Sequence, residues 1–204
     1  MKRLGMFAVA TLLAAAGCGA KEPAAAPSAT TAGSTPASSP ASSPASATPS
    51  AMPSTLIEFT VDGAGPYELG ATLATLQSTA GLDEVQTGGG GCPQNATARG
   101  TGIWKDIRLS FRKDGKLYLA INRSPSIPTP SGAWLGTTLA QLRSIYAGVA
   151  GQVLTKGAAT AYLVTTLSGR GILFDLDAQK KVISMVAGDA DYLRSSYLGG
   201  TNFC

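Results

Sequence analysis

The sequence predicts an α+β fold: two tandem units, each a helix followed by an antiparallel meander of strands, forming one domain after a disordered tether. Three observations carry this. The phrase Leu69-Gly70-Ala71-Thr72-Leu73-Ala74-Thr75-Leu76 returns as Leu135-Gly136-Thr137-Thr138-Leu139-Ala140-Gln141-Leu142, and six of the eight positions are identical. A repeat of this kind constrains architecture before any local argument begins. Each copy is followed by short alternating apolar runs, the period-2 signal of strands with one buried face. Residues 19–54, in contrast, are almost entirely Ala, Ser, Pro, Thr and Gly and hold seven of the twelve prolines. A segment so poor in apolar bulk cannot offset its ordering entropy, so it reads as an extended spacer.

Taken in order, the chain of 204 residues opens with Lys2 and Arg3, then an uncharged apolar run, Leu4 to Gly17. That is the layout of an export signal, too short to span a bilayer as a mature helix. The expected divisions are residues 1–17, signal; 18–54, Cys18 and tether; 55–123, first unit; 124–204, second unit. The end of the signal, Ala15-Ala16-Gly17-Cys18, resembles the lipobox of bacterial lipoproteins, with Ala15 where leucine is usual. The resemblance implies cleavage before Cys18, a diacylglycerol on its sulfur, and anchorage to the outer face of the cell membrane. An ordinary secretory signal with Cys18 incidental is the competing reading.

Cys92 and Cys204 are then the two cysteines left, in a chain exported to where disulfides persist. A Cys92–Cys204 bond is expected, with two free thiols as the alternative. It would close a loop of roughly 110 residues, worth about 4–5 kcal/mol in the chain-entropy treatment.

Composition also excludes. Histidine is absent, which removes histidine-based triads, general bases and metal ligands. The formal net charge of +4 falls to +2 without Lys2 and Arg3, and the charges are scattered, so no nucleic-acid partner is expected. No cofactor and no metal site are indicated. The run Gly88 to Gly91 before Cys92-Pro93 lacks the Gly-Lys-Ser/Thr of a phosphate loop and reads as a flexible connection.

Thr55 to Val61 is a short β-prone run leading into Thr60-x-x-Gly63-Ala64. The second unit enters alike, through Thr129-x-x-Gly132-Ala133. Thr72 and Thr138 are N-caps, and Gln141 completes a capping box. Leu73, Leu76 and Ala80 line one helix face, and Leu139, Leu142, Ile145 and Tyr146 the other. Gly81 and Gly148 are the expected stops. Ile107–Phe111 and Leu117–Ile121 are strands. A three-residue loop with Gly115 left-handed pairs Phe111 with Leu117, Leu109 with Leu119 and Ile107 with Ile121, so that all six share a face. Ala98 to Trp104 reads as a weaker strand. In the second unit strands are expected over 161–166, 171–176 and 181–186. Phe174 and Asp177 match Phe111 and Asp114 at an offset of 63, which makes the second turn longer by two. A helical turn is expected around Ala190–Tyr197.

The doubled helix-plus-meander unit is similar to the BamE/SmpA lipoproteins and, in tandem, looks like the β-lactamase inhibitor protein fold. The tail Gly200 to Cys204 also resembles that of actinobacterial lipoproteins. These resemblances cover residues 56–204 and imply a module that binds proteins, with no catalytic motif to transfer. Aromatics anchor interfaces, so Trp104, Tyr118, Trp134 and Tyr162 are the candidate binding surface. Tyr118 reads as the outward one, and Trp134, beside Leu135, reads more readily as core. The alternatives are a small-ligand carrier of lipid or glycan, or an envelope hydrolase using the carboxylate pairs Asp175/Asp177 or Asp189/Asp191.

Overall fold

The computed structural model describes residues 57–88, 95–201 and 203, all within one compact unit, Ser50–Cys204. Cys18, Cys92, Cys204 and the tether lie outside the described residues.

The first unit begins with three two-residue strands, β1 (Phe59–Thr60), β2 (Gly63–Ala64) and β3 (Tyr67–Glu68), in a small antiparallel sheet. Helix α1 (Leu73–Thr79) follows, then β4 (Asp83–Thr87), β5 (Ala96–Arg99), a 3₁₀ turn at Gly102–Trp104, β6 (Ile107–Phe111) and β7 (Leu117–Asn122). The second unit runs α2 (Leu139–Ile145), β8 (Ala150–Lys156), β9 (Ala159–Thr165), β10 (Arg170–Leu176), β11 (Val182–Asp189) and α3 (Ala190–Gly199). The α+β class and the doubled helix-plus-meander plan are therefore as the sequence predicts.

The two meanders join into one antiparallel sheet of eight strands, ordered β4-β5-β6-β7-β11-β10-β9-β8. The seam has internal symmetry. Ile121 pairs with Val186, flanked by Asn122 with Met185 and Ala120 with Ala187. Leu117 and Val182 occupy equivalent hairpin positions, 65 apart, and so do Ile121 and Val186. A pseudo-two-fold axis therefore passes through the Ile121–Val186 pair, as in an isologous dimer interface.

The caps form as expected. Thr72 Oγ1 accepts from the Thr75 N–H at 3.1 Å. Thr138 and Gln141 complete a full capping box. Leu76 and Leu142 are buried against the sheet, and Leu69 and Leu135 pack beside them. Gly81 follows α1 with a positive φ, but α2 ends at Tyr146, and Gly148 is not left-handed.

Register brings corrections. Gly115 is left-handed and Phe111 pairs with Leu117, as expected. A β-bulge then places Tyr118 as an extra residue, so Ser110 meets Leu119, Leu109 meets Ala120 and Ile107 meets Asn122. One extra residue reverses every later side chain. Leu119 and Ile121 therefore leave the face shared by Ile107, Leu109, Phe111 and Leu117 and join the opposite one. The second hairpin repeats this bulge at Ile183: Leu176 pairs with Val182 and Asp175 with Ser184. The matched turns are Arg112–Lys116 and Asp177–Lys181, equal in length, with Lys180 left-handed at φ 61° where the first unit has Gly115. The offset is 65, and Phe111 corresponds to Leu176 rather than Phe174.

The weak strand expected from Ala98 to Trp104 is real only as β5, and the chain beyond it coils into the 3₁₀ turn. Strands β4 and β8, the two sheet edges, were not legible. Every residue of β4 is exposed, and Leu154 is the only fully buried residue of β8, so neither has an amphipathic pattern. The tail is a full helix, α3, capped by the Asp189 carboxylate on the Tyr192 N–H at 2.8 Å and closed by left-handed Gly200.

Two cores result. The larger lies between the sheet, α1, α2 and the small sheet, around Phe59, Tyr67, Phe111, Leu142 and Phe174. The smaller lies between α3 and the opposite sheet face, around Leu154, Leu163, Leu173, Val186 and Leu193.

Candidate functional site

The second face of the sheet is covered unequally. In the second unit the chain leaves β11 through Gly188 and Asp189 straight into α3, which lies across β8 to β11. A Cβ on Gly188 would stand 3.3 Å from Leu119 and 3.4 Å from Leu193, so glycine there lets the helix sit close. In the first unit the chain turns away at the equivalent point. Buried Asn122 holds this turn: its Nδ2 donates to the Ile127 carbonyl at 2.9 Å, and its Oδ1 accepts from the Ser124 N–H at 2.7 Å. Ile127 is thereby buried in the larger core. The position matching Asn122 in β11 is Ala187, which has no such side chain.

Among the described residues, the face of β4 to β6 and the far end of β7 is thus left open as a shelf enclosing about 400 Å³. Strand alternation sets its lining. Glu84 and Gln86 come from β4, Thr97 and Arg99 from β5, and Arg108 and Ser110 from β6. The bulge at Tyr118 turns Ile121 into it, leaves Leu119 at its inner edge buried beside α3, and Arg123 follows β7. Asp175, Ser184 and Val186 border it from the second unit.

Three arginines dominate the shelf. Arg99 and Arg108 are direct cross-strand partners, and like charges so placed repel. Glu84 relieves this at Arg99, through an exposed ion pair of 3.1 Å. Arg108 and Arg123 are exposed, and neither has a salt-bridge partner among the described residues. Burial raises the Asp175 carboxyl above its ordinary pKa, while the Leu176 N–H and the charge of Arg123 oppose the shift. Burial and then the charge of Asp175 also raise the Tyr197 phenol, whose hydroxyl has no hydrogen-bond partner among the described residues.

The four aromatic candidates do not form one surface. Trp104 is buried, edge-on to Tyr67 with ring centres 6.4 Å apart. Its ring lies so close to Gly65 that a Cβ there would clash. Tyr162 is buried in the larger core, against the sheet rather than at its surface. Tyr118, expected to point outward, is half-buried by the bulge. Its ring meets Tyr192 of α3 at 5.5 Å and lies under the Arg112 guanidinium at 5.3 Å. Burial, followed by the adjacent Tyr192, pushes its pKa up to about 12. Trp134, read as core, is 55% exposed and rims a hollow of about 250 Å³ with Thr137, Gln141 and Ile145. Its backbone N–H is held by the Thr137 hydroxyl at 3.0 Å, so the loop turns its ring outward.

The carboxylate pairs are dispersed into structural tasks. Asp177 accepts from the Lys181 N–H to close the β10–β11 turn, Asp189 caps α3, and Asp191 pairs with Arg194 at 3.0 Å. Asp175 remains, and the other carboxylate of the shelf, Glu84, is five strands away, about 24 Å along the sheet. Two carboxyls working on one glycosidic bond stand within about 10 Å.

The arginine shelf was missed because Arg99, Arg108 and Arg123 read singly as the polar positions of half-buried strands. The available signal was their shared parity once β5, β6 and β7 are placed side by side.

No family model and no curated protein matches the chain. Two solved structures are similar in part. One is an extracellular protein containing an SCP domain from Bacillus anthracis, 9% identical, with a TM-score of 0.43 over 62% of this chain. The match spans 46% of that protein, about half its length. The other is a DUF4309 family protein from Bacillus subtilis, 14% identical, with a TM-score of 0.41 over 60% of this chain and 82% of that one. At these values neither likeness extends to function.

Proposed function

We propose that this chain is a lipid-anchored, extracytoplasmic binding module that engages a protein of the cell envelope and does so without catalysis. The observation that carries the reading is the unequal cover of the sheet: α3 seals one half of the second face, and the other half stays open and lined with side chains. An antiparallel sheet tolerates a solvated face; what points to an occupant is that this face is concave and gathers three arginines. The export signal, Cys18 and the tether supply the location, and the resemblance to protein-binding lipoproteins points the same way.

The Cys92–Cys204 bond belongs to this proposal. The Tyr118 hydroxyl accepts from Asn95 Nδ2 at 3.2 Å and donates to the Phe203 carbonyl at 3.0 Å. It thereby draws together the residue three beyond Cys92 and the residue preceding Cys204. Intact mass with and without reductant reads the bond directly, and a Cys18→Ala chain should leave the membrane fraction.

A photo-crosslinking residue at Thr97, in the shelf, tests the function in intact cells. The expected result is a discrete protein adduct that a probe at Ser144, on α2, does not give. A small-ligand reading is favoured by one feature, the partly exposed apolar side chain of Ile121 at the shelf floor, beside buried Leu119 and Val186. A lipid or glycan found by mass spectrometry, without a protein adduct, would replace the first reading with that one.

A further inference from the structure

The pseudo-two-fold relation tells what kind of partner the shelf is built for. Beneath α3, Leu163 pairs across the ladder with Leu173, and Leu173 with Val186. Both leucines are fully buried under the helix. At the matching positions of the first unit, Arg99 pairs with Arg108, and Arg108 with Ile121. Leu154 in β8, opposite Ala161, likewise corresponds to Gln86 in β4, opposite Thr97. One half therefore presents leucines to the buried side of α3. The other presents cations around half-buried Ile121.

We propose that the open shelf recognises an acidic stretch of a protein partner, with its carboxylates on Arg99, Arg108 and Arg123 and an apolar side chain on half-buried Ile121. This deepens the protein-binding reading above and rests on it. A helix presenting an apolar side, as α3 does, is the wrong occupant, because it would bury arginines without counter-charges, a cost of several kcal/mol per ion. Carboxylates remove that cost. They relieve the Arg99–Arg108 repulsion, and guanidinium forks take them in bidentate pairs. The partial neutralisation of Arg99 by Glu84 shows the pairing the shelf favours, and a partner carboxylate would compete for the same guanidinium.

The full mature chain is titrated, by fluorescence anisotropy, with a labelled peptide alternating glutamate and leucine. The same peptide with lysine for glutamate, inorganic phosphate, and vesicles of phosphatidylglycerol are the competing probes. The glutamate peptide should bind, and its affinity should fall steeply between low and physiological salt. Arg108→Glu and Arg123→Glu should each weaken it by tenfold or more, and Glu84→Gln should tighten it a few-fold. Arg143→Glu, on the exposed side of α2, should change it less than twofold. Arg108 and Arg123 are exposed, so these variants keep the fold, which an unchanged melting curve verifies. Equal binding by Arg108→Glu and the parent overturns the proposal, as does preference for the lysine peptide or for the vesicles. The Thr97 adduct separates this from the broader reading. A partner crosslinked through a neutral or basic stretch leaves the binding module standing and removes its acidic ligand. No adduct at all removes the module reading itself.

Discussion

The two halves of the sheet share their hairpin turns, their bulges and their capped helices, yet they treat the second face in opposite ways. In the β8–β11 half, leucines on β8, β9 and β10 meet Leu193 from α3. In the β4–β7 half the same positions carry Gln86, Arg99 and Arg108, and no helix covers them among the described residues. The difference begins at one position of the symmetric seam and continues in the residues that follow it. Asn122 binds its own downstream backbone and sends the chain back to the larger core, whereas Ala187 leads through Gly188 to the Asp189 cap. A duplicated scaffold has kept its folding instructions on one face and diverged on the other. The divergent face is where function should be sought.

The sharpest test of this comparison is a matched pair of truncations. Leu173→Ala should destabilise by about 2–5 kcal/mol, as for a buried leucine left with a cavity. Arg108→Ala at the equivalent position should stay within about 0.5 kcal/mol, as at an open surface. Urea unfolding midpoints measure both, and equal losses would erase the distinction between the halves. Next is Asn122→Ala, which leaves the Ile127 carbonyl and the Ser124 N–H unpaired in a buried turn, at about 1–3 kcal/mol. The symmetric change Ala187→Asn should not create such a turn. It should destabilise instead, by burying an unpaired amide.

A smaller loss, about 1 kcal/mol, is expected for Thr138→Ala, which removes the hydroxyl of a capping box. Thr72→Ala should cost no more, since α1 has the Thr75 N–H contact without the reciprocal glutamine. Thermal melts of the two variants rank the caps.

The finest effect is in pH. Asp175 has its pKa raised by burial, so the folded state holds its proton more tightly than the unfolded chain. That contribution is full below the unfolded value of 3.8 and is lost as pH rises through the folded pKa. Asp175→Asn should therefore match the parent near pH 3.5 and exceed it at pH 7. A stability difference that does not vary across that interval would mean that the carboxyl titrates normally.

Much of the first face was legible. The repeated phrase located α1 and α2, and the Thr caps behaved as the spacing requires because capping depends on residues three apart. The hairpin loop, with Gly115 left-handed, was also legible, since turn geometry is local. The bulges at Tyr118 and Ile183 were not. No residue type marks them, and they lie where Leu117 and Val182 exchange backbone hydrogen bonds with the segments leading into α1 and α2. That single unread residue moved Leu119 and Ile121 to the other face and half-buried Tyr118. Counting from Phe111 to Phe174 then misaligned the units by two, because similar residues outranked equivalent backbone positions.

The sequence by itself determined the α+β class, the doubling, the helix starts and the chemistry that the lack of histidine forbids. These depend on composition and on contacts within a few residues. Which face each strand residue occupies, and that Arg99, Arg108 and Arg123 share an open shelf while Trp104 and Tyr162 are buried, was decided only by tertiary structure. A strand has two equivalent faces until its neighbours and the cover above them choose between the two.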